Sequence, residues 1–153
     1  MTNVWRRLAG VLAIAGLTVM LAGCGSDRLR EEREERLNVY PGSYRADLVA
    51  ALHTYVSDPA SIRDAWVAEP VATQIGEVKR YAACVRFNAR DGVSRRTDSR
   101  VMLAIFSAGR FDQFIEASAS TDPASQERLS TLVKGRCDAA DYKRFSEAEA
   151  MKR

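Results

Sequence analysis

Three segments in the second half of the chain carry the polarity patterns of β-strands. Residues 78–88 alternate between an apolar set and a set that includes polar side chains, which predicts a strand with one buried face. Residues 100–106 are nearly all apolar, as in a central strand covered on both faces. A tight turn at Ala108-Gly109 leads into residues 110–116, which alternate again. The three segments together predict an antiparallel meander.

Helical spacing of apolar residues appears on either side of this meander. Ser43 is a suitable N-cap for a helix from Tyr44 to about Val56. The apolar face of this helix consists of Tyr44, Leu48, Ala51, Leu52 and Tyr55. Thr121-Asp122-Pro123 begins a last helix, which Gly135 is placed to end. We expect Leu129, Leu132 and Val133 of that helix to pack on the sheet.

The segment between the first helix and the meander predicts two short elements. Asp58-Pro59 indicates a turn of helix through Arg63. Trp66–Glu69 is predicted to be a strand that Pro70 ends, at an edge of the sheet. The expected fold class is therefore α+β. We expect a single small domain, in which an antiparallel meander of three to four strands packs with an N-terminal and a C-terminal helix.

The first 23 residues differ in composition from the rest. A basic start, Trp5-Arg6-Arg7, precedes an apolar run from Leu8 to Met20 and the small residues Ala22 and Gly23. This order is typical of an export signal peptide. The apolar run is shorter than the roughly 20 residues that a comfortable transmembrane helix needs.

Leu21-Ala22-Gly23-Cys24 resembles the lipobox of bacterial lipoproteins. The resemblance implies that the Cys24 sulfur receives a diacylglyceryl group, that the chain is cut before Cys24, and that several acyl chains, palmitate among them, anchor it stably. Gly25 stands where an Asp would retain such proteins at the inner membrane. The implied location is the outer membrane, facing the periplasm. Two alternatives stay open: an ordinary secretory signal with a coincidental cysteine, and an uncleaved anchor.

The expected layout has four parts. A signal peptide occupies residues 1–23, a charged tether 24–39, the globular domain 40–145, and a polar tail that frays 146–153. Within the tether, blocks of Arg and Glu alternate from Asp27 to Arg36, which favours a short solvated helix acting as a spacer. A coil that binds a partner is the alternative.

Composition fits a single exported domain. The chain has 153 residues, of which 46% are hydrophobic and 28% charged, and a mature protein without its leader has 130 residues. Loss of the leader removes Arg6 and Arg7 and lowers the formal charge from +3 to +1. Because the domain then lacks a strongly basic field, nucleic acid is not expected as a partner.

The cysteines predict a disulfide and no metal site. With Cys24 lipidated, Cys84 and Cys137 remain as an even pair in an oxidising compartment, where a disulfide is the expected state. Two buried free thiols are the alternative. His53 is the only histidine and falls on the polar side of its helix, so we expect it to be solvated. No metal, cofactor or catalytic motif is predicted.

Five arginines cluster around the connection between the two long predicted strands. Arginine forks bind phosphate or carboxylate, so the set is a candidate anion-binding site. The alternative is a solvated loop of mixed charge, partly neutralised by Asp91 and Asp98. The residues of this arginine set are Arg86, Arg90, Arg95, Arg96 and Arg100.

Three runs carry a further resemblance, at residues 44–48, 58–65 and 84–90. Through them residues 40–145 resemble small uncharacterised envelope lipoproteins of Gram-negative bacteria, a group that supplies a location and a layout but no activity. The expected role is a non-catalytic structural or interaction module, held to the membrane by the Cys24 lipid, with an envelope protein or an anionic polymer as partner. The alternatives are an anionic-ligand binder that uses the arginine set, and a hydrolase with a noncanonical carboxylate site.

Overall fold

The computed structural model describes residues 23–90, 97–116 and 121–151, with side chains from residue 27 onward except at residue 97. These residues form an α+β fold. The elements in chain order are helix α1 (Gly23–Leu37), helix α2 (Tyr44–Tyr55), a 3₁₀ turn (Pro59–Ser61), strands β1 (Arg63–Ala68), β2 (Val71–Ile75), β3 (Val78–Arg90), β4 (Thr97–Ser107) and β5 (Arg110–Glu116), helix α3 (Pro123–Cys137), strand β6 (Tyr142–Arg144) and helix α4 (Ser146–Glu149).

The sheet is antiparallel and has the order β5-β4-β3-β1-β6. The predicted meander is confirmed as β3, β4 and β5. On the side away from β4, strand β3 pairs first with β2 and then with β1. With β2 and β6 the sheet has six strands, more than the three to four expected.

Strand β1 lies inside the sheet, so the prediction that it occupies an edge is wrong. Its partner on the outer side is β6, which places Trp66 opposite Arg144 and Val67 opposite Lys143. Pro70 separates β1 from β2, and these two strands follow each other along the same side of β3. Because proline cannot donate a ladder hydrogen bond, it interrupts the pairing at this point without ending the sheet.

One face of the sheet, which we call the first face, carries the larger core. Alternate residues of β3 point into it, as the sequence predicts: Ala83, Val85, Phe87 and Ala89. Helix α2 contributes Leu48 and Leu52 of its predicted apolar face, which are fully buried, whereas Tyr55 of that face is 43% exposed. Met102 and Phe106 of β4 and Phe145 also lie in this core.

The opposite, second face carries a smaller core. Ala82 and Cys84 of β3 meet Leu103 and Ile105 of β4, with α3 packed above them through Val133 and Cys137. Strand β4 therefore supplies buried residues to both faces, which confirms the prediction of a central covered strand.

The Cys84–Cys137 disulfide is confirmed. It joins β3 to the last residue of α3, across a sequence separation of 53, with a Cα–Cα distance of 5.5 Å. At the other end of α3, the Asp122 carboxylate accepts from the Ser125 N–H at 2.8 Å. Hydrogen bonds from the side chain and the backbone of Ser125 lower the pKa of Asp122. The helix continues through Gly135 and ends at Cys137, two residues later than expected.

The turn between β4 and β5 uses two residues with positive φ. Ala108 has φ 51° and Gly109 has φ 74°, the combination that suits a two-residue hairpin between right-twisted strands. Ala108 donates its N–H to the Leu37 carbonyl at 2.8 Å. A Cβ at position 109 would lie 3.4 Å from Val39 Cγ1, which is an ordinary contact, so the positive φ is the reason that glycine suits the site.

Residues 146–151 do not form the frayed tail that the sequence predicts. Ser146–Glu149 is helix α4, in which Ala148 is fully buried, and Met151 packs against the first-face core. Phe145, directly before α4, is also fully buried and donates its N–H to the Ala65 carbonyl at 2.8 Å. The sequence pattern does not predict this packing, because the segment is short and mostly polar and only Ala148 and Met151 contact the core.

The charged tether is helical over most of its length, as helix α1. Glu32 and Arg36 form an i,i+4 ion pair of 3.9 Å with both side chains exposed. Leu29, its one apolar side chain between residues 27 and 36, is 69% exposed. Among the residues that the structure describes, none of the helices has the length and apolarity needed to cross a membrane.

Candidate functional site

The arginine set does not form one patch. Arg86 lies opposite Val101 and Arg100 lies opposite Phe87 in the β3–β4 pairing. Because directly opposed residues share a face, Arg86 projects from the second face and Arg100 from the first. Arg90 has the same parity as Arg86 and shares its face, whereas Arg95 and Arg96 lie outside the described residues.

Arg86 instead belongs to a cluster that crosses three strands. Its guanidinium carbon lies 4.8 Å from the ring centre of Tyr142 and 5.7 Å from that of Trp66. The Arg144 guanidinium carbon lies 5.4 Å from the same Trp66 ring. These four residues, Trp66, Arg86, Tyr142 and Arg144, are named the arginine–aromatic cluster below.

Sheet register assembles this cluster. Trp66 on β1 is the cross-strand partner of Arg86 on β3 and of Arg144 on β6. Tyr142 is paired with Ala68, and this small side chain leaves room for the long Arg86 side chain to reach the Tyr142 ring. The cluster thus depends on β6, which the sequence pattern does not reveal.

The charges around the cluster are unequally neutralised. Among the described residues no carboxylate forms an ion pair with Arg86, while Arg144 Nη2 donates to Glu149 Oε2 at 2.9 Å. Glu149 also accepts from the Ala65 N–H, and these interactions lower its pKa. Burial raises the pKa of Tyr142, and the nearby Arg86 charge opposes that rise.

A second surface feature is an apolar groove beside the edge strand of the sheet. This α2–β5 groove has a volume of about 910 Å³. Its middle is lined by Ala50, Ala51, Thr54, Phe111 and Phe114. The Phe111 and Phe114 ring centres are 4.6 Å apart. The two rings form the base of the groove on the edge strand β5.

Polar contacts tie α2 to β5 at the two ends of this groove. At one end the Asp47 carboxylate forms a 3.3 Å ion pair with Arg110 and accepts from the Phe111 N–H. At the other end the Tyr55 hydroxyl donates to Glu116 at 3.0 Å. Burial and that hydrogen bond raise the pKa of Tyr55. The middle, made of small and aromatic side chains, is left open between the two ties.

A third cluster has a structural role. Arg45 of α2 donates from Nε and Nη2 to the two carboxylate oxygens of Glu147 at 2.8 and 2.7 Å, and also to the Arg144 carbonyl. The Arg45 guanidinium lowers the pKa of Glu147 to about 2. Glu147 is therefore ionised at neutral pH and is not suited to donate a proton, so it gives the hydrolase alternative no support.

The remaining predicted residues lie apart from these features. His53 is exposed on α2, and the Cys24 side chain lies outside the described part of the chain. Within the described residues, no group of three or more His, Cys, Asp or Glu side chains is placed to hold a metal ion.

Comparison with known proteins finds no matching family model, no similar curated protein and no similar solved structure. Any role assigned to this chain therefore rests on its own residues.

Proposed function

We propose that this chain is a lipid-anchored envelope protein of the outer membrane that faces the periplasm and acts as a non-catalytic interaction module. The observation that carries the proposal is the Cys84–Cys137 disulfide in a chain whose residues 21–24 resemble a lipobox. Stable disulfides are a property of oxidising compartments such as the periplasm. A lipid on Cys24 and helix α1 then hold the domain near the membrane surface.

The α2–β5 groove supports the interaction role. Strand β5 is the last strand on its side of the sheet, so a further strand can pair with it beyond Phe111, whose N–H is already bonded to Asp47. A strand added there places alternate side chains into the groove, against Phe111, Phe114 and Ala51. The occupant that fits is an extended, partly apolar segment of an envelope protein.

The anchoring half is tested by metabolic labelling with a fatty acid in the bacterial host. Wild-type protein is expected to take up the label and to lose 23 residues, whereas Cys24→Ala protein does neither because it lacks the acceptor sulfur. A Cys84→Ala, Cys137→Ala double variant is the control and keeps its label. If Cys24→Ala protein is still labelled and trimmed, the proposed anchor is wrong.

Membrane fractionation tests the location, and recovery of the mature protein in the inner membrane contradicts the proposed outer-membrane location.

The interaction half is tested by photo-crosslinking in intact cells. A photoreactive residue at Ala50, which is exposed in the groove, is expected to form a discrete adduct with an envelope protein. The matched control carries the same residue at Glu127, which is exposed on α3. Identical adduct patterns from the two positions, or no adduct from Ala50, contradict a partner in the groove.

A further inference from the structure

The second face of the sheet is only partly covered by helix. Helix α3 lies over the β3–β4 part of this face, where the disulfide fastens it. The β1–β6 part carries Trp66 and Tyr142 on the same face, and the guanidinium groups of Arg86 and Arg144 lie over these rings. Two cations therefore occupy a position that a helix fills elsewhere.

We propose that the arginine–aromatic cluster is a binding site for a ligand that carries phosphate groups. The proposal deepens the interaction role given above, because the bacterial envelope is where that role places the protein. It adds Trp66, Tyr142 and Arg144 to the predicted Arg86, and it separates Arg86 from Arg100, which lies on the opposite face.

Guanidinium geometry supports an anionic ligand. A guanidinium that stacks on a ring uses its flat face and keeps its N–H edge free to donate. Arg86 is exposed, lies against two rings, and forms no ion pair with any described carboxylate. Its guanidinium is thus held beside two rings, and its donors are available to a ligand.

The arrangement favours phosphate as the ligand group. Phosphate offers three acceptor oxygens and up to two charges to an arginine fork. Arg86 and Arg144 flank Trp66 from neighbouring strands, so a ligand with two phosphate groups, or a layer of phosphate headgroups, engages both. Two acids act on the cluster: Glu149, which Arg144 and the Ala65 N–H already engage, and Asp138, whose charge contributes to the raised pKa of Tyr142.

The test uses the fluorescence of Trp66, which is the single tryptophan once Trp5 is removed with the leader. Mature lipidated protein in micelles of a nonionic detergent is titrated with tripolyphosphate. In a second arm the micelles are doped with phosphatidylglycerol or, as a control, with phosphatidylcholine. Saturable quenching by tripolyphosphate indicates a soluble phosphate ligand, and a response to phosphatidylglycerol alone indicates a lipid headgroup. No response in either arm overturns the proposal.

Two matched variants localise the site. Arg86→Gln is expected to weaken binding at least tenfold, as is typical for loss of a charge-assisted contact. Arg90→Gln removes the same charge from the same face of β3, four residues away and without a stacked ring, and is expected to change binding less than twofold. Equal losses in the two variants indicate attraction by charge alone and overturn the site, as does unchanged binding by Arg86→Gln.

Two further measurements keep the result interpretable. An unchanged thermal midpoint for Arg86→Gln shows that a loss of binding is not a loss of fold. Calorimetric titration reports binding without using Trp66, so it also works with protein that retains Trp5. Absence of phosphate binding by a labelled, trimmed protein therefore refutes this inference and leaves the lipid anchor intact.

Discussion

The two faces of the sheet are stabilised in different ways. The first face buries large side chains, among them Phe87, Phe106 and Phe145, under helices α2 and α4. The second face has a smaller cluster of buried aliphatic side chains and cysteines under α3 and is fastened by a disulfide. A face with a large apolar core holds its helices by burial, whereas a thin core benefits from a covalent link. The thin core also leaves part of its face uncovered, and the arginine–aromatic cluster lies there.

The largest effect is expected from truncation in the first-face core. Phe87→Ala removes a fully buried ring and should lower the free energy of unfolding by about 3–5 kcal/mol. That is a large share of the stability of a small domain.

Leu132→Ala on α3 is the comparison for the second face. Because Leu132 is only partly buried there, the expected loss is about 1–2 kcal/mol. Urea denaturation of both variants measures the difference, and equal losses contradict the contrast between the faces.

Removal of the disulfide should act mainly on the second face. The chain-entropy model gives up to about 4 kcal/mol for a loop of this size, and measured values are often smaller. In a Cys84→Ala, Cys137→Ala double variant we expect the amide protons of α3 to lose more protection from hydrogen exchange than those of α2. Helix α2 keeps its anchors Leu48 and Leu52, which are fully buried. Equal loss of protection in α2 and α3 shows that the disulfide supports the whole fold and not one face.

Local patterns in the sequence predict the first-face core and the disulfide well, because each depends on a strong signal. Alternation along β3 identifies Val85 and Phe87 as buried, and an even pair of cysteines identifies the bond. Strand β6 has only three residues, and its pairing with β1 is a long-range contact without a local signal. The same contrast between local signals and long-range pairing applies to the candidate site. Arg86 is visible in the sequence, but its neighbours Trp66 and Tyr142 follow from the register.

The sequence predicts the arginine set as a single group for a related reason. Residues close in sequence around a strand connection look like neighbours, yet the faces they occupy depend on the register of the pairing. Once Arg86 is opposite Val101, Arg100 must project from the other face. The face on which each arginine lies therefore depends on the register of β3 and β4, which the amino-acid composition does not contain.

The smallest effect concerns how the first-face helices are joined. Arg45 of α2 and Glu147 of α4 form a bidentate ion pair, in which the side chains are 29% and 49% exposed. Because solvent screens such a pair, Glu147→Gln should cost only about 1 kcal/mol or less at pH 7. The matched control is Glu127→Gln on α3, an exposed acid on the second face, which should change stability by less than about half a kcal/mol.

The pH dependence of this effect follows from the pKa of Glu147, which is lowered from 4.5 to about 2 in the folded protein. A carboxyl with a lowered pKa in the folded state binds its proton more readily when unfolded, so its stabilising effect is complete above pH 4.5 and is lost as the pH falls towards 2. The stability difference between wild type and Glu147→Gln should therefore be constant from pH 7 to about 5 and shrink below that. Urea denaturation at a series of pH values measures it. A difference that persists unchanged at pH 2 means that the ion pair is not its source, and that the helices of the first face are held by burial alone.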